Sequence, residues 1–202
     1  DNIVKCNEDY IVIIDRLHSG QIHIFNIDGS YRATIAAKGR GPNEYLDMAS
    51  VQLSDDSIMI YSYHKQAVLY YDYNGKFIES DQLEYKPYNL HKTDNGYWGY
   101  VGFGSGQMKE RVVKMDGNGA IIDKYLPTKA KIYSVTEIND IFIECAEGIL
   151  VRESLMNEIS IINDNGASSY MSFDFGKYTI PSQYYEYSDP MKAAKMLFAT
   201  DF

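Results

Sequence analysis

Cysteine is scarce: Cys6 and Cys145 are the only two in 202 residues. They allow one disulfide at most and match no metal-ligand spacing, so two small buried hydrophobes are their expected form. No run approaches the roughly 20 apolar residues of a membrane helix. The start, DNIVKCNEDY, lacks the basic head and apolar stretch of a signal peptide, which points to a cytosolic chain or one whose leader has been removed. Basic residues are in deficit, 19 against 28 acidic for a net charge of -9, and that balance opposes a nucleic-acid partner. No helical period precedes residue 188, which disfavours α/β layouts with parallel sheets. The four histidines, His18, His23, His64 and His91, share no ligand spacing with a carboxylate pair, and nothing points to a metal or cofactor. Ser154, in RESLM, lacks the Gly-x-Ser-x-Gly elbow of a hydrolase.

Tyrosine is abundant, 19 residues within an aromatic fraction of 14%, a bias that favours strands. Four turns repeat: FNIDGSY (25–31), YDYNGKF (71–77), KMDGNGAI (114–121) and IINDNGAS (161–168). Each sets Asp or Asn beside Gly between strand-like runs, a strong hairpin signal. Gly29, Gly75, Gly119 and Gly166 are spaced by 46, 44 and 47 residues, and a period near 45 is that of a four-stranded propeller blade.

Each period divides into four short strands. In the second they are 48–54, 57–63, 67–73 and 76–82, and parallel divisions give blades over about 1–37, 46–83, 87–127 and 139–175. The expected fold is therefore all-β, a β-propeller of four-stranded antiparallel blades. Residues 176–202 depart from the pattern, with a Tyr-rich stretch and then a short helix capped by Ser188 or Asp189, with Pro190 in its first turn. Four blades is the low end for a closed ring. The chain is thus expected to be part of a longer propeller, or else a compact four-bladed ring in which Cys6 and Cys145 could be neighbours.

The stretch KGRGPNEYLD (38–47) resembles the GRGPGEY segment of six-bladed propeller domains of unknown function from exported proteins and lipoproteins of Gram-negative gut bacteria, relatives of the NHL and TolB-like propellers. Gly39, Arg40, Gly41, Pro42, Glu44 and Tyr45 match, followed by the hairpin at 71–78, and Asn43 departs where the family usually has Gly. The resemblance implies six blades, an extracytoplasmic location with room for a lipid anchor upstream, and no established activity.

The same segment links the last strand of one blade to the first of the next. A phosphate cradle would need a helix after the loop, yet LDMASVQLS reads as strand, so architecture is the stronger expectation. On this view Gly39 and Gly41 supply backbone angles, Pro42 stiffens the crossing, and Arg40 pairs with Glu44 or bonds neighbouring carbonyls. In a propeller such crossings share a face with the turns between second and third strands. That face collects Arg16, His18, Arg40, Glu44, Tyr45, His64 and Lys65, with Arg152 as a further member: candidate ligand-binding groups, against the plainer view of solvated turns. Tyr97, Trp98, Tyr100 and Phe103 suggest a sugar platform, although inter-blade packing is the usual fate of strand aromatics. MDGNGAIID fits a hairpin better than a calcium loop. The expected function is a non-catalytic binding or scaffold module for a peptide, glycan or partner protein. The alternative is a propeller enzyme of lactonase or lyase type with a metal in the central channel, for which Asn89, His91 and Glu144 are the scattered candidates.

Overall fold

The computed structural model describes residues 2–102, 108–128, 141–153, 156–163 and 166–187, with 189, 191, 192 and 195. Ser154, Phe103, the Asp-Asn of the fourth turn, and most of the C-terminal helix segment, Ser188 and Pro190 among them, lie outside the described residues. Sixteen strands are described, in four antiparallel sheets of four. The first sheet runs in order through β1 (Asn2–Cys6), β2 (Tyr10–Asp15), β3 (Gln21–Asn26) and β4 (Tyr31–Ile35). The second holds β5 (Ser50–Leu53), β6 (Ser57–Ser62), β7 (Ala67–Asp72) and β8 (Phe77–Gln82). The third holds β9 (Asn89–Thr93), β10 (Gly96–Tyr100), β11 (Glu110–Met115) and β12 (Ile121–Pro127). The fourth holds β13 (Phe142–Cys145), β14 (Gly148–Arg152), β15 (Glu158–Asn163) and β16 (Gly166–Ser172). Each is a meander in sequence order, so every sheet is a propeller blade. The fold class is an all-β propeller, as the 45-residue period requires.

The Asp/Asn-Gly turns close the third strand onto the fourth in every blade, and Gly29, Gly75, Gly119 and Gly166 all have positive φ. Asp72 shows how the turn is stabilised: its Oδ1 accepts the N–H groups of Asn74 and Lys76, while its own N–H donates to Lys76 O. Asp116 repeats the arrangement with Asn118 and Ala120. A carboxylate spent on its own turn explains DGNG as a hairpin.

The chain forms two compact units, Asp1–Tyr97 with Met115–Ala120, and Trp98–Lys114 with Ile121–Phe202, so the third blade is divided between them. In the first unit, Val12, Ile14, Ile22, Ile24 and Ile35 of blade 1 pack on Ile58, Ile60, Leu69 and Tyr71 of blade 2, with Tyr45 among them. Blade 1 buries alternate residues and blade 2 buries β6 and β7 nearly throughout. That difference separates a sheet covered on one face from one covered on two. Leu90 N–H donates to Ser50 Oγ, and Asn89 Nδ2 to Ala49 O, joining the first strands of blades 2 and 3. In the second unit, Trp98, Tyr100 and Val112 pack with Phe142, Val151 and Ile162.

Cys6 and Cys145 are free thiols, the first exposed and the second half-buried, which corrects their expected burial. Cys6 lies on the face of β1 that also carries exposed Val4, opposite Ile3, which packs on the core. After Gly166–Ser172 come two 3-10 turns, Gly176–Tyr178 and Ser182–Glu186. Met191, Lys192 and Lys195 are helical, and Asp189 Oδ1 accepts the Met191 N–H as the expected cap.

Buried tyrosines make the fold sensitive to base. Burial pushes the phenols of Tyr45 and Tyr73 up to about 12 and raises those of Tyr61, Tyr70 and Tyr71 further. A phenol whose folded pKa exceeds its unfolded one contributes fully below about pH 10 and loses that contribution as pH rises through its folded value. For Tyr45 alone the span corresponds to roughly 2–3 kcal/mol. The melting temperature should therefore fall steeply above pH 10, and absorbance at 295 nm should rise in step with unfolding. A melting temperature that stays flat from pH 8 to 11.5 would contradict this account.

Candidate functional site

The segment 36–49 between β4 and β5 is closed by its own backbone. Gly39 N–H donates to Tyr45 O and Tyr45 N–H to Ala37 O, with a bridge between Lys38 and Tyr45. Glu44 turns back so that Oε2 accepts the Gly41 N–H at 2.7 Å. Tyr45 is 0% exposed and its hydroxyl donates to Gly20 O at 2.8 Å, stapling the crossing to the β2–β3 turn. Tyr71 hydroxyl donates to Asn43 O at 2.6 Å. Lys65, from the β6–β7 turn, places its ammonium among three carbonyls, Gly41 O, Pro42 O and Glu44 O, at 2.8, 2.9 and 2.7 Å.

Two expectations change. Arg40 and Glu44 form no ion pair, because the Glu44 carboxylate is occupied by the Gly41 amide. Neither Gly39 nor Gly41 has positive φ. What they supply is room, since a Cβ on either would meet the Glu44 carboxylate and push it from its place. The strand β5 follows the loop, where an anion cradle would need a helix.

The neighbouring turns are built alike. Asp15 accepts the N–H groups of His18 and Ser19 and the Ser19 hydroxyl, and these bonds, the Ser19 amide first, hold its carboxyl well below the usual range. His18 Nδ1 stands 3.3 Å from Asp15 Oδ1, and its side chain is 79% exposed. Asp47 does the same for the β6–β7 turn, accepting from Ser62 Oγ and the N–H groups of Tyr63 and His64. His64 Nδ1 is 3.3 Å from its Oδ1, and the ring is 69% exposed. Arg16 reaches across to Ala49 O at 3.1 Å.

The structure thus gathers the candidates of the first unit into one loop cluster but gives them different roles. Glu44, Tyr45 and Lys65 are bound up in holding the crossing. Arg16 ties its end at Ala49 to the β2–β3 turn of blade 1. His18, Arg40 and His64 face solvent, and Arg40 makes no hydrogen bond or ion pair among the described residues. Arg152 is exposed in the second unit. Tyr97, Trp98 and Tyr100 are buried in blade packing. Asn89 and His91 are buried in the first unit, Glu144 is exposed in the second, and no group of three or more His, Cys, Asp or Glu is placed to hold a metal among the described residues.

Sequence reasoning missed a different aromatic group. Tyr63 stacks on Tyr88, with centroids 5.4 Å apart and planes 16° apart. His64 meets Tyr63 edge-on at 5.4 Å, and Lys86 Nζ lies 3.9 Å over the Tyr63 ring. These residues sit just outside the strand ends, in YSYHKQ and EYKPYN. Nothing distinguishes them there from strand tyrosines except that turn positions escape burial between blades.

A missed group of another kind occupies the second unit. Arg111, at the start of β11, forms a buried ion pair with Glu153, just past β14. Arg111 Nε also donates to Leu126 O, and Leu126 has the unusual φ of 57°. Glu153 Oε1 is buried without a hydrogen-bond partner among the described residues. Beside the pair, Tyr100 has its phenol raised, by burial first and then by the Glu153 charge.

Four-stranded meander blades, with second-to-third-strand turns and a crossing segment bound together in the first unit, define a β-propeller module that presents loops from a scaffold of strands. The chain belongs to the family "Domain of unknown function (DUF4934)", whose model matches residues 1–202. No curated protein matches. Among solved structures, the chain is similar to the "Putative exported protein (BF0058)" of Bacteroides fragilis NCTC 9343, with TM-score 0.69 and 16% identity over 85% of this chain and 50% of that one. It is also similar to a member of the DUF4221 family from Bacteroides vulgatus ATCC 8482, with TM-score 0.60 and 10% identity over 87% of this chain and 58% of that one. At such identities the likeness concerns the fold. The chain spans about half the length of these structures, and no helix among the described residues is long and apolar enough to cross a membrane.

Proposed function

We propose that the chain is an extracytoplasmic, non-catalytic binding module, the visible part of a six-bladed propeller, which engages a peptide, glycan or partner protein through the loop cluster of its first unit. The observation that carries this reading is the division of labour in that cluster: Tyr45, Lys65 and Glu44 rigidify the loops, while His18, Arg40 and His64 remain in solvent. Rigid presentation of exposed polar side chains is what a binding face needs, because little ordering entropy remains to be lost on association. The exported relative supports the location. The greater length of the solved relatives supports further blades.

The reading is tested by screening the protein on oligosaccharide and peptide arrays, then repeating positive interactions with Arg40→Glu and with Lys76→Glu on the opposite hairpin side. Ligands should weaken at least tenfold with Arg40→Glu and be indifferent to Lys76→Glu. Ligands that respond to Lys76→Glu alone, or that are chemically converted by the protein, would overturn it.

A further inference from the structure

Most tyrosine hydroxyls in the first unit have internal partners. Tyr45 donates to Gly20 O, Tyr61 to Pro87 O, Tyr71 to Asn43 O and Tyr73 to Ser54 O. Tyr63 and Tyr88 break the pattern, since neither hydroxyl has a hydrogen bond among the described residues, although the two rings are held stacked. Tyr88 is 36% exposed. The Lys86 ammonium behaves in the same way. The Lys86 side chain is half-buried and its ammonium rests on the Tyr63 face, yet it meets no carboxylate and no hydrogen-bond acceptor among the described residues, in a chain with 28 acidic side chains. An anion arriving there would supply the missing counter-ion.

Position adds a second argument. Tyr63 and His64 come from the β6–β7 turn, and Lys86 and Tyr88 from the crossing between β8 and β9. The two segments are fastened together: Leu83 N–H donates to Gln66 O, and Gln66 Nε2 to Leu83 O and Glu84 O. His64 is oriented by Asp47, whose carboxylate faces Nδ1, so that Nε2 is left as an acceptor for an incoming hydroxyl. A flat aromatic face, two unspent phenols, an unpaired ammonium and an oriented imidazole therefore converge on one rigid patch.

We infer that this patch is a subsite for a short acidic carbohydrate, a pyranose ring bearing a carboxylate. Its C–H face lies on Tyr88, its hydroxyls bond the Tyr63 and Tyr88 phenols and His64 Nε2, and its carboxylate meets Lys86. One ammonium matches a single carboxylate rather than a run of phosphates, and the net charge of -9 opposes a long polyanion such as single-stranded nucleic acid. A proline-rich peptide would use the aromatic face but leave the ammonium without a partner. The inference rests on the binding-module reading and specifies its ligand.

The test uses the whole chain, with tri-galacturonate and neutral galactotriose as probes, titrated by calorimetry and by saturation-transfer NMR at low and moderate salt. Tri-galacturonate should bind saturably, at least tenfold tighter than the neutral sugar, with a preference that shrinks as salt rises. Tyr88→Ala should weaken both sugars at least tenfold. Lys86→Gln should abolish the preference for the acid while sparing residual binding of the neutral sugar, a split that mere loosening of the fold would not produce. Absence of saturable uronate binding, or uronate binding unchanged in both variants, overturns the inference. So does tighter binding of a proline-rich peptide or an oligothymidylate at Tyr88. If array ligands still respond to Arg40→Glu in any of those cases, the acidic-sugar subsite falls while the binding-module reading stands. If ligands respond only to Lys76→Glu, the broader reading falls as well.

Discussion

Replacing Arg111 by Met should be among the most damaging single changes available to the second unit. Its partner Glu153 is almost wholly buried, and removing the guanidinium leaves a carboxylate with neither solvent nor counter-ion. Breaking one side of such a pair costs about 3–5 kcal/mol, a drop of roughly 10 °C in melting temperature for a chain of this size. Burial already works to raise the Glu153 pKa, with Arg111 opposing it. In the variant the opposing charge is gone, so the carboxyl stays protonated to higher pH. Such a group favours the fold below its unfolded pKa and penalises it progressively as pH rises through its folded one. The Arg111→Met deficit should therefore be smallest near pH 4 and grow toward neutrality. The double replacement Arg111→Met with Glu153→Leu should recover most of the loss, because an apolar pair of similar volume needs no charge compensation. Thermal melts of the three variants between pH 4 and 8 measure all of this. A single variant as stable as the parent at pH 7 would mean that the ion pair is solvated in solution.

That pair could not have been read from the sequence, and the reason is physical. Alternation reports burial only where one face of a strand meets water. Blade 1, covered on one face, alternates visibly at Val12, Ile14, Ile22 and Ile24. In β11 residues on both faces are buried, Arg111 together with Val112 and Val113, so no periodic signal marks Arg111. The repeating hairpins were legible because a residue type is tied there to one backbone conformation: Asp28, Asp72 and Asp116 bind the amides of the first three turns, and Gly takes the positive φ. From those four turns the blades and nearly all strand limits follow. The candidate site was legible by location and less so by role. The sequence gathers Arg16, His18, Arg40, Glu44, Tyr45, His64 and Lys65 on one set of loops, but charge alone does not say which cations face water. The aromatic patch at Tyr63 and Tyr88 carries no mark in the sequence that Tyr97 and Trp98 lack, because local pattern cannot distinguish a tyrosine between blades from one a single residue beyond the strand.

Lys65 separates architecture from recognition most sharply. A flexible lysine on a turn ordinarily contributes little, but here the ammonium donates to three carbonyls of the crossing segment within 2.9 Å. Hydrogen bonds to a charged donor are worth about 1.5–3 kcal/mol each where burial shields them. They share one ammonium and one loop, so their sum is not additive, and Lys65→Met should cost about 2–3 kcal/mol in total. Lys65→Arg should recover only part of this, because a planar fork cannot point three donors inward as an ammonium does. The loss should be local before it is global. Amide exchange should speed up first at Gly39, Gly41 and Tyr45, whose N–H groups close the loop, while β6 and β7 remain protected until the whole unit opens. If Lys65→Met instead leaves both the melting temperature and these amides unchanged, the ammonium is not held by the loop in solution. It would then be free to join Arg40 in solvent on the proposed binding face.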